Sequence, residues 1–442
     1  MTDNKQSARS LAFSSLMRCE RDKSYSNLEI DSSIRRNRLS DADKRLYTAL
    51  VYGVIERKLT LDYIISRLSS KPLEALDAEV LTATRMGLYQ LIWLDRVPDS
   101  AAVNESVSLI KAVKPRSASF VNALLREFGR RYSKGELPYP DKSDYEKYLS
   151  VRYSCGEDIV RTLENYGAEP ILTAFEEQPP VTLRVNTLKL TRDELLAELA
   201  DEDIPAEPTI LSPFGIKLKN RSIPEKITEL ISGGYVFIQD EASQIAAMAL
   251  NPKPGEVIID ACACPGGKSF SAAMLMENRG KILAFDLHKN KLSLIMSGAK
   301  RLGIDIIEAG EKNGAVFDEA LAETADALIC DAPCSGLGVI AKKPEIRYKS
   351  AAEYSRLPEV QYSILSNCAR YLKPGGRLCY STCTLNPDEN QGVVSRFLSE
   401  NSSFEPLDFR FGELHSERGM LTLLPQEHGT DGFFISLLRK KS

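Results

Sequence analysis

The stretch EVIIDACACPGGKS (256–269) decides how this chain folds. Val257, Ile258 and Ile259 make a short continuous apolar run, the pattern of a strand buried on both faces. Pro265, Gly266 and Gly267 then break the run, and a helical pattern follows. Working outward, further strands read KILAFD (281–286), IDIIEA (304–309), DALICDA (326–332), RLCYSTC (377–383) and finally FFISLLRK (433–440). Helical segments are expected in the gaps between the first five. Strands alternating with helices in this way specify an α/β fold on a parallel sheet.

Upstream the character differs. VTLRVNTLKL (181–190) alternates as a strand does, TRDELLAELA (191–200) reads as a helix capped by Thr191, and GIKLKN (215–220) reads as another strand. The polar SKGELPYPDKSDYEKYLS (133–150), with two prolines, suits a connection. Before it, from Ser7 to about Arg131, apolar residues recur every three or four positions, as in ARSLAFSSLMRCE, LDAEVLTATRMGLYQLIWL and SAAVNESVSLIKAV. Pro72 and Pro98 close helical runs, while Ser40 and either Asp99 or Ser100 are placed to cap the next ones. The organisation expected is an all-α bundle of six to eight helices over 1–135, a linker at 136–150, a small α/β segment over 151–232 and the main α/β domain over 233–442.

At 442 residues, 43% apolar and 27% charged, the chain is globular in composition and too long for one ordinary core. No apolar run reaches the roughly 18 residues needed to span a membrane. The N-terminal MTDNKQSARSLAFSSLMRCERD is broken by Arg18 and lacks a small-residue cleavage site, so it does not read as a signal peptide. Nine cysteines, an odd number at irregular spacing, do not make a disulfide framework. The simplest reading is a cytoplasmic monomer. Net charge is −4, but residues 1–134 carry 23 Lys and Arg against 16 Asp and Glu, and the rest 34 against 45. A basic front end on an acidic body suits a polyanionic partner, although a solvated helical surface would look the same.

Open parallel sheets bind ligands beyond the carboxyl ends of their strands. The first such loop, DACACPGGKS (260–269), has Gly266 and Gly267 for close backbone approach and a helix N-terminus behind them. It matches neither the dinucleotide fingerprint nor the P-loop. Asp286 ends the second strand, where a carboxylate can accept from both ribose hydroxyls of a nucleoside. Glu311 follows the third strand, within reach of an adenine amino group, and Asp331 ends the fourth. A Gly-rich first loop, an acid after the second strand and no pyrophosphate motif favour S-adenosylmethionine over NAD.

Cysteines then stand out at two strand ends, in DAPCSGLG (331–338) and YSTCTLNPDEN (380–390). Cys262 and Cys264 form a C-x-C, but only three histidines exist and none lies near a second such pair, so no metal is expected. Cys330 and Cys379 lie within strands and read as core residues. Cys334 and Cys383 lie just past strand ends, on the ligand side. Asn386, Pro387 and Glu389 offer an N-cap, a first helical residue and a third-position acid that would fix the second loop.

These motifs, with KKPEIR (342–347) after the first, SGGYVFIQDEASQ (232–244), LRVNTLKLTRDEL (183–195) and DGFFISLLRK (431–440), resemble the S-adenosylmethionine-dependent RNA cytosine-C5 methyltransferases. The helical front end resembles the NusB fold, a pairing similar to the members that act on 16S ribosomal RNA. The resemblance implies a Rossmann-like class I methyltransferase domain with a small α/β subdomain, behind a NusB-like RNA-binding bundle. It implies Cys383 as nucleophile on cytosine carbon 6, Cys334 as the thiol assisting product release, and Asp331 as a cytosine contact. A swap of the thiol roles, as in the DNA enzymes, is the open alternative. The cofactor would be held by Cys262, Ala263, Cys264, Pro265, Gly266, Gly267 and Lys268, with Asp286, Glu311 and Asp331. Glu311 departs from the family's usual Asp. Lys342, Lys343 and Arg347 would meet RNA phosphates. The implied partner is 16S ribosomal RNA, free or in a partly assembled small subunit. Transfer RNA is an alternative substrate, and a non-catalytic RNA-binding antitermination factor an alternative of another class.

Overall fold

The computed structural model describes residues 7–22, 26–37, 39–132, 136–219 and 223–442. Residues 1–6 of the N-terminal stretch, 133–135 of the polar connection and Asn220 of the GIKLKN strand lie outside them. The chain forms two compact units, Met1–Glu176 with Ile340–Ser350, and Glu177–Val339 with Ala351–Ser442. No described helix is long and apolar enough to cross a membrane.

In the first unit, seven α-helices form the bundle among the described residues: α1 (Ala8–Asp22), α2 (Ser26–Arg36), α3 (Asp41–Glu56), α4 (Lys58–Leu68), α5 (Ala78–Trp93), α6 (Asp99–Val113) and α7 (Ala118–Arg131). Ser40 caps α3 by accepting from the Asp43 N–H. Pro98 takes the cap position of α6, so neither Asp99 nor Ser100 caps it. Helix α5 is apolar nearly all round, with Val80, Ala83, Met86, Leu88 and Leu91 buried, which marks it as the central helix. Gly87 lets α7 come close, since a Cβ there would lie 2.6 Å from Leu125.

Three more helices, α8 (Tyr145–Tyr153), α9 (Glu157–Leu163) and α10 (Ala168–Ala174), fold within this unit. The linker and small-segment boundaries drawn at 136–150 and 151 therefore fall differently. Leu149, Val151 and Tyr153 of α8 are buried, and Thr60 of α4 donates to the Val151 carbonyl at 2.6 Å. Mixed α/β structure begins only at Val181.

The second unit carries two main sheets. The smaller has order β2-β3-β1-β4, with β1 (Val181–Val185), β2 (Ala206–Pro208), β3 (Gly215–Leu218) and β4 (Val236–Ile238), all pairs antiparallel. Helices α11 (Arg192–Asp201) and α12 (Glu225–Ser232) share its core, and Thr191 and Glu194 form a capping box at the start of α11.

The larger sheet comprises β5 (Val257–Asp260), β6 (Lys281–Asp286), β7 (Ile307–Glu311), β8 (Ala325–Asp331), β9 (Leu372–Thr382), β10 (Phe404–Pro406), β13 (Met420–Leu423) and β14 (Phe433–Lys440); β11 (Arg410–Phe411) and β12 (Leu414–His415) form a separate hairpin. Its order is β10-β14-β9-β8-β5-β6-β7, with β13 also on β14. The five strands from β7 to β9 are parallel, and β14 is antiparallel to β9. Consecutive strands run outward in both directions from β5 and β8, so the loops after those two open a crevice between them.

Helices α13 (Glu241–Leu250), α14 (Gly267–Leu275), α15 (Leu292–Leu302), α16 (Ala351–Tyr354), α17 (Leu357–Ala369), α18 (Val393–Glu400) and α19 (Pro425–His428) complete the unit. Adjacent residues of β5 serve opposite cores: Ile258 packs with Ala246, Phe270 and Ile295, and Ile259 with Leu365, Leu372 and Phe397. That two-sided burial is why the 257–259 run is unbroken. Two details depart from the expected alternation. Strand β7 starts at Ile307 rather than 304, because Gly303 turns left-handed and the Ile304 N–H returns to the Ala299 carbonyl, closing α15. Only a 3₁₀ turn, Glu319–Leu321, lies between β7 and β8 where a helix was expected.

Candidate active site

The loop after β5 turns at Gly266, whose φ of 112° suits glycine alone. A Cβ there would fall 2.3 Å from the Phe270 ring. The turn therefore leaves Cys262 to Lys268 wrapped around the N-terminus of α14. The Cys264–Pro265 peptide within it is cis. Beneath the loop, Asp260 is buried and accepts from the Ser269 hydroxyl at 2.6 Å. Burial, aided by the negative charge of Asp331, pushes its carboxyl up to about 7. Asp286 closes β6 and accepts from the His288 N–H at 2.9 Å. Glu311 closes β7 directly beside it, in register, and is exposed. Two carboxylates at adjacent strand ends, next to a glycine cradle, suit the hydroxyls and amino group of a nucleoside.

Lys268 behaves differently from the rest of its loop. Its side chain is buried, with Nζ 2.6 Å from Asp331 Oδ2 and 5.1 Å from the Phe433 ring centre. Burial alone would lower this ammonium, yet Asp331 beside it holds it above its ordinary value. The other Asp331 oxygen accepts from Ser381 at 2.8 Å. Sequence reading placed Lys268 and Asp331 in separate motifs and gave no sign of their pairing.

Strands β8 and β9 are parallel neighbours with Asp331 opposite Ser381, so the loops that leave them run side by side. This brings the two thiols together: Cys334 Sγ and Cys383 Sγ are 3.2 Å apart, not joined in a disulfide. The hydrogen bond to Cys383, burial, and the nearby charges of Glu389 and Asp331 push the Cys334 thiol well above its usual range. Cys383 in turn contributes to the electrostatics of Lys268. An ammonium near one thiol and carboxylates near the other make the two sulfurs chemically unequal. The strand cysteines Cys330 and Cys379 are buried in the cores.

The loops are tied by a polar network at whose centre lies Glu389. Asn386 accepts from the Asp388 N–H, but Glu389 does not complete the expected capping box. Residues Asp388–Gly392 form a π turn instead of the first turn of an α-helix, and both Glu389 and Asn390 end fully buried. Asn390 binds Thr382 and the Thr384 carbonyl. Across the gap, Ser335 meets Thr384 at 2.7 Å, and the Gly338 N–H donates to the Cys383 carbonyl at 3.0 Å.

The proposed phosphate contacts are corrected at Arg347. Residues 340–350 fold within the first unit, where Arg347 is 1% exposed and donates to the carbonyls of Tyr153 and Phe175 at 3.0 Å each. A guanidinium committed to buried carbonyls is a structural element of the helical unit, not a phosphate contact. Lys342 is half-buried and Lys343 exposed in the same segment. Among the described residues, no group of three His, Cys, Asp or Glu is arranged to hold a metal.

Three family patterns match the chain: the NusB family over residues 6–130, a ferredoxin-like domain of RsmF/B-like methyltransferases over 159–223, and 16S rRNA methyltransferase RsmB/F over 247–439. The probable ribosomal RNA small subunit methyltransferase B of Bacillus subtilis is 40% identical across 99% of both chains. Its counterpart from Synechocystis sp. is 36% identical across 98% of this chain and 99% of its own. The crystal structure of a methyltransferase homolog from Pyrococcus horikoshii matches 67% of this chain and 99% of its own, with a TM-score of 0.59 and 30% identity.

Proposed function

Because this chain belongs to the RsmB/F family of 16S rRNA methyltransferases, we propose that it methylates carbon 5 of a cytosine in 16S ribosomal RNA through a covalent bond between Cys383 and the base. The observation that carries this reading is the pair of thiols 3.2 Å apart beside the buried Lys268–Asp331 ion pair.

Carbon 5 of cytosine is a poor nucleophile until a thiolate adds to carbon 6 and makes the ring enamine-like. The Lys268 ammonium, whose charge Cys383 feels, would favour a thiolate there. Cys334, its thiol pushed well above the usual range, lies 3.2 Å away in position to share a hydrogen bond with that sulfur. Asp331, a carboxylate at the end of β8, is the group to accept from the exocyclic amine, and from ring nitrogen 3 once that nitrogen is protonated as the ring charge develops. Once carbon 5 carries the methyl group, solvent water takes its proton, the carbon 5–carbon 6 double bond re-forms and Cys383 leaves as the thiolate. Cys334 is in contact with the departing sulfur and able to protonate it.

S-adenosylmethionine, when bound, supplies an electrophilic methyl group. The Cys262–Lys268 loop, Asp286 and Glu311 are the residues to hold it, and the bare Cα of Gly266 lets that loop turn tightly over the Phe270 ring. A cytosine must leave its stack to reach a thiol at the bottom of such a crevice, so an unpaired loop is the substrate most easily opened. The basic stretch 1–134 would hold flanking phosphates.

The test is transfer of radiolabelled methyl from S-adenosylmethionine to small-subunit ribosomal RNA by wild type and Cys383→Ala, with the product digested to nucleosides. Label in 5-methylcytosine that disappears with the substitution is the expected result. Label in another nucleoside, or undiminished label with Cys383→Ala, would overturn it.

A further inference from the structure

Glu389 is fully buried behind the two thiol loops, where its charge acts on Cys334. One of its carboxylate oxygens accepts from the Ser335 backbone N–H and from Gln361 Nε2, both at 2.8 Å. The other accepts from Asn386 Nδ2 at 3.0 Å. Ser335 follows Cys334 and Asn386 lies three residues past Cys383, so a single side chain grips both thiol loops. Gln361 also donates to the Pro333 carbonyl at 2.9 Å, which binds the residue before Cys334 to the same anchor. Glu389 makes this grip from within the π turn. Within it the adjacent Glu389 and Asn390 both turn inward, Glu389 to Ser335, Gln361 and Asn386, and Asn390 to Thr382 and the Thr384 carbonyl.

We propose that Glu389 is a positioning residue that locks the two thiol loops in register and, through its buried negative charge, keeps Cys334 the protonated member of the pair. The inference rests on the reading of Cys383 as nucleophile. An anion next to Cys334 opposes a second anion there, whereas the Lys268 ammonium supports one at Cys383. Without Glu389, the two thiol loops and Gln361 lose their shared anchor of three hydrogen bonds, and Cys334 loses one of the charges that oppose its ionisation. Cys334 then competes better for the role of thiolate.

The experiment is alkylation by iodoacetamide at pH 7.5, resolved by peptide mass spectrometry, on wild type, Glu389→Gln and Glu389→Asp. Methyl transfer and circular dichroism are measured on the same samples. In wild type Cys383 is modified faster than Cys334. Glu389→Gln removes the charge, and the Cys334 rate should rise roughly tenfold relative to Cys383. Glu389→Asp keeps the charge on a shorter arm: Cys334 stays slow, while kcat falls about tenfold or more at an unchanged KM for S-adenosylmethionine. An unchanged thiol ratio in Glu389→Gln, or wild-type kcat in Glu389→Asp, would overturn the proposal. If Glu389→Gln fails to fold, Glu389→Asp decides by its kcat alone. A purely structural role would lower thermal stability without moving the thiol ratio. Failure of the nucleophile reading itself looks different, since it appears with Glu389 unchanged, as methyl transfer that survives Cys383→Ala.

Discussion

Replacing Asp260 by Asn should make the protein more stable at alkaline pH and leave it nearly unchanged at acid pH. Asp260 is 1% exposed, and its carboxyl is raised from 3.8 to about 7 by burial and by the charge of Asp331, against the opposing Ser269 hydroxyl. Between these values the folded chain holds a proton that the unfolded chain has lost. Folding is therefore linked to proton uptake, and stability falls as pH rises through this window. Below about pH 4 both states are protonated and nothing is lost. Each pH unit of the window is worth about 1.4 kcal/mol, so the whole interval corresponds to about 4 kcal/mol by pH 7 and above. Asn cannot ionise, and its carbonyl still accepts from Ser269. Denaturant unfolding of both proteins at pH 5 and pH 8 measures the effect: the advantage of Asp260→Asn should grow by about 2–3 kcal/mol between them. A difference that is equal at the two pH values would refute the burial argument. It would mean that Asp260 stays ionised beneath the cofactor loop, with Lys268 as its compensating charge.

Cys334→Ala should accumulate a protein–RNA adduct that survives a denaturing gel, because Cys383 still attacks but its release is unassisted; absence of the adduct, or its formation by Cys383→Ala, would reverse the roles. Gly266→Ala introduces a Cβ 2.3 Å from the Phe270 ring at a φ of 112°. It should weaken S-adenosylmethionine binding by calorimetry roughly five- to a hundred-and-fiftyfold, from about 1–3 kcal/mol of strain in the loop. Arg347→Ala strands the carbonyls of Tyr153 and Phe175 inside the helical unit. It should cost about 3 kcal/mol of stability in denaturant unfolding while changing RNA affinity less than about twofold at low temperature; a large loss of affinity in the folded variant would restore the phosphate contact.

Taken alone, the sequence determined the fold class, because hydrophobic period is a local property. The 257–259 run announced a strand buried on both sides, and Ile258 and Ile259 do face opposite cores. The three-to-four spacing before residue 131 announced the bundle. Strand ends were legible for the same reason, which is why Asp286, Asp331, Cys334 and Cys383 could be assigned to one side of one sheet. Helix boundaries set by burial were less legible. The α8–α10 segment carries little periodic signal, and its membership of the first unit depends on residues far away in the chain.

Tertiary structure alone decided which of those side chains meet. The pairing of β8 with β9 in a register that sets Asp331 opposite Ser381 is what brings two thiols, 49 residues apart, to 3.2 Å. The start of α14 reaches the end of β8 through the buried Lys268–Asp331 pair, and the π turn makes Glu389 a tie between loops. The same long-range packing buries Arg347 against the carbonyls of Tyr153 and Phe175. Sequence spacing records neighbours along the chain. Hydrogen-bond partners, burial and charge balance are set by neighbours in space, and those exist only once the sheet has closed.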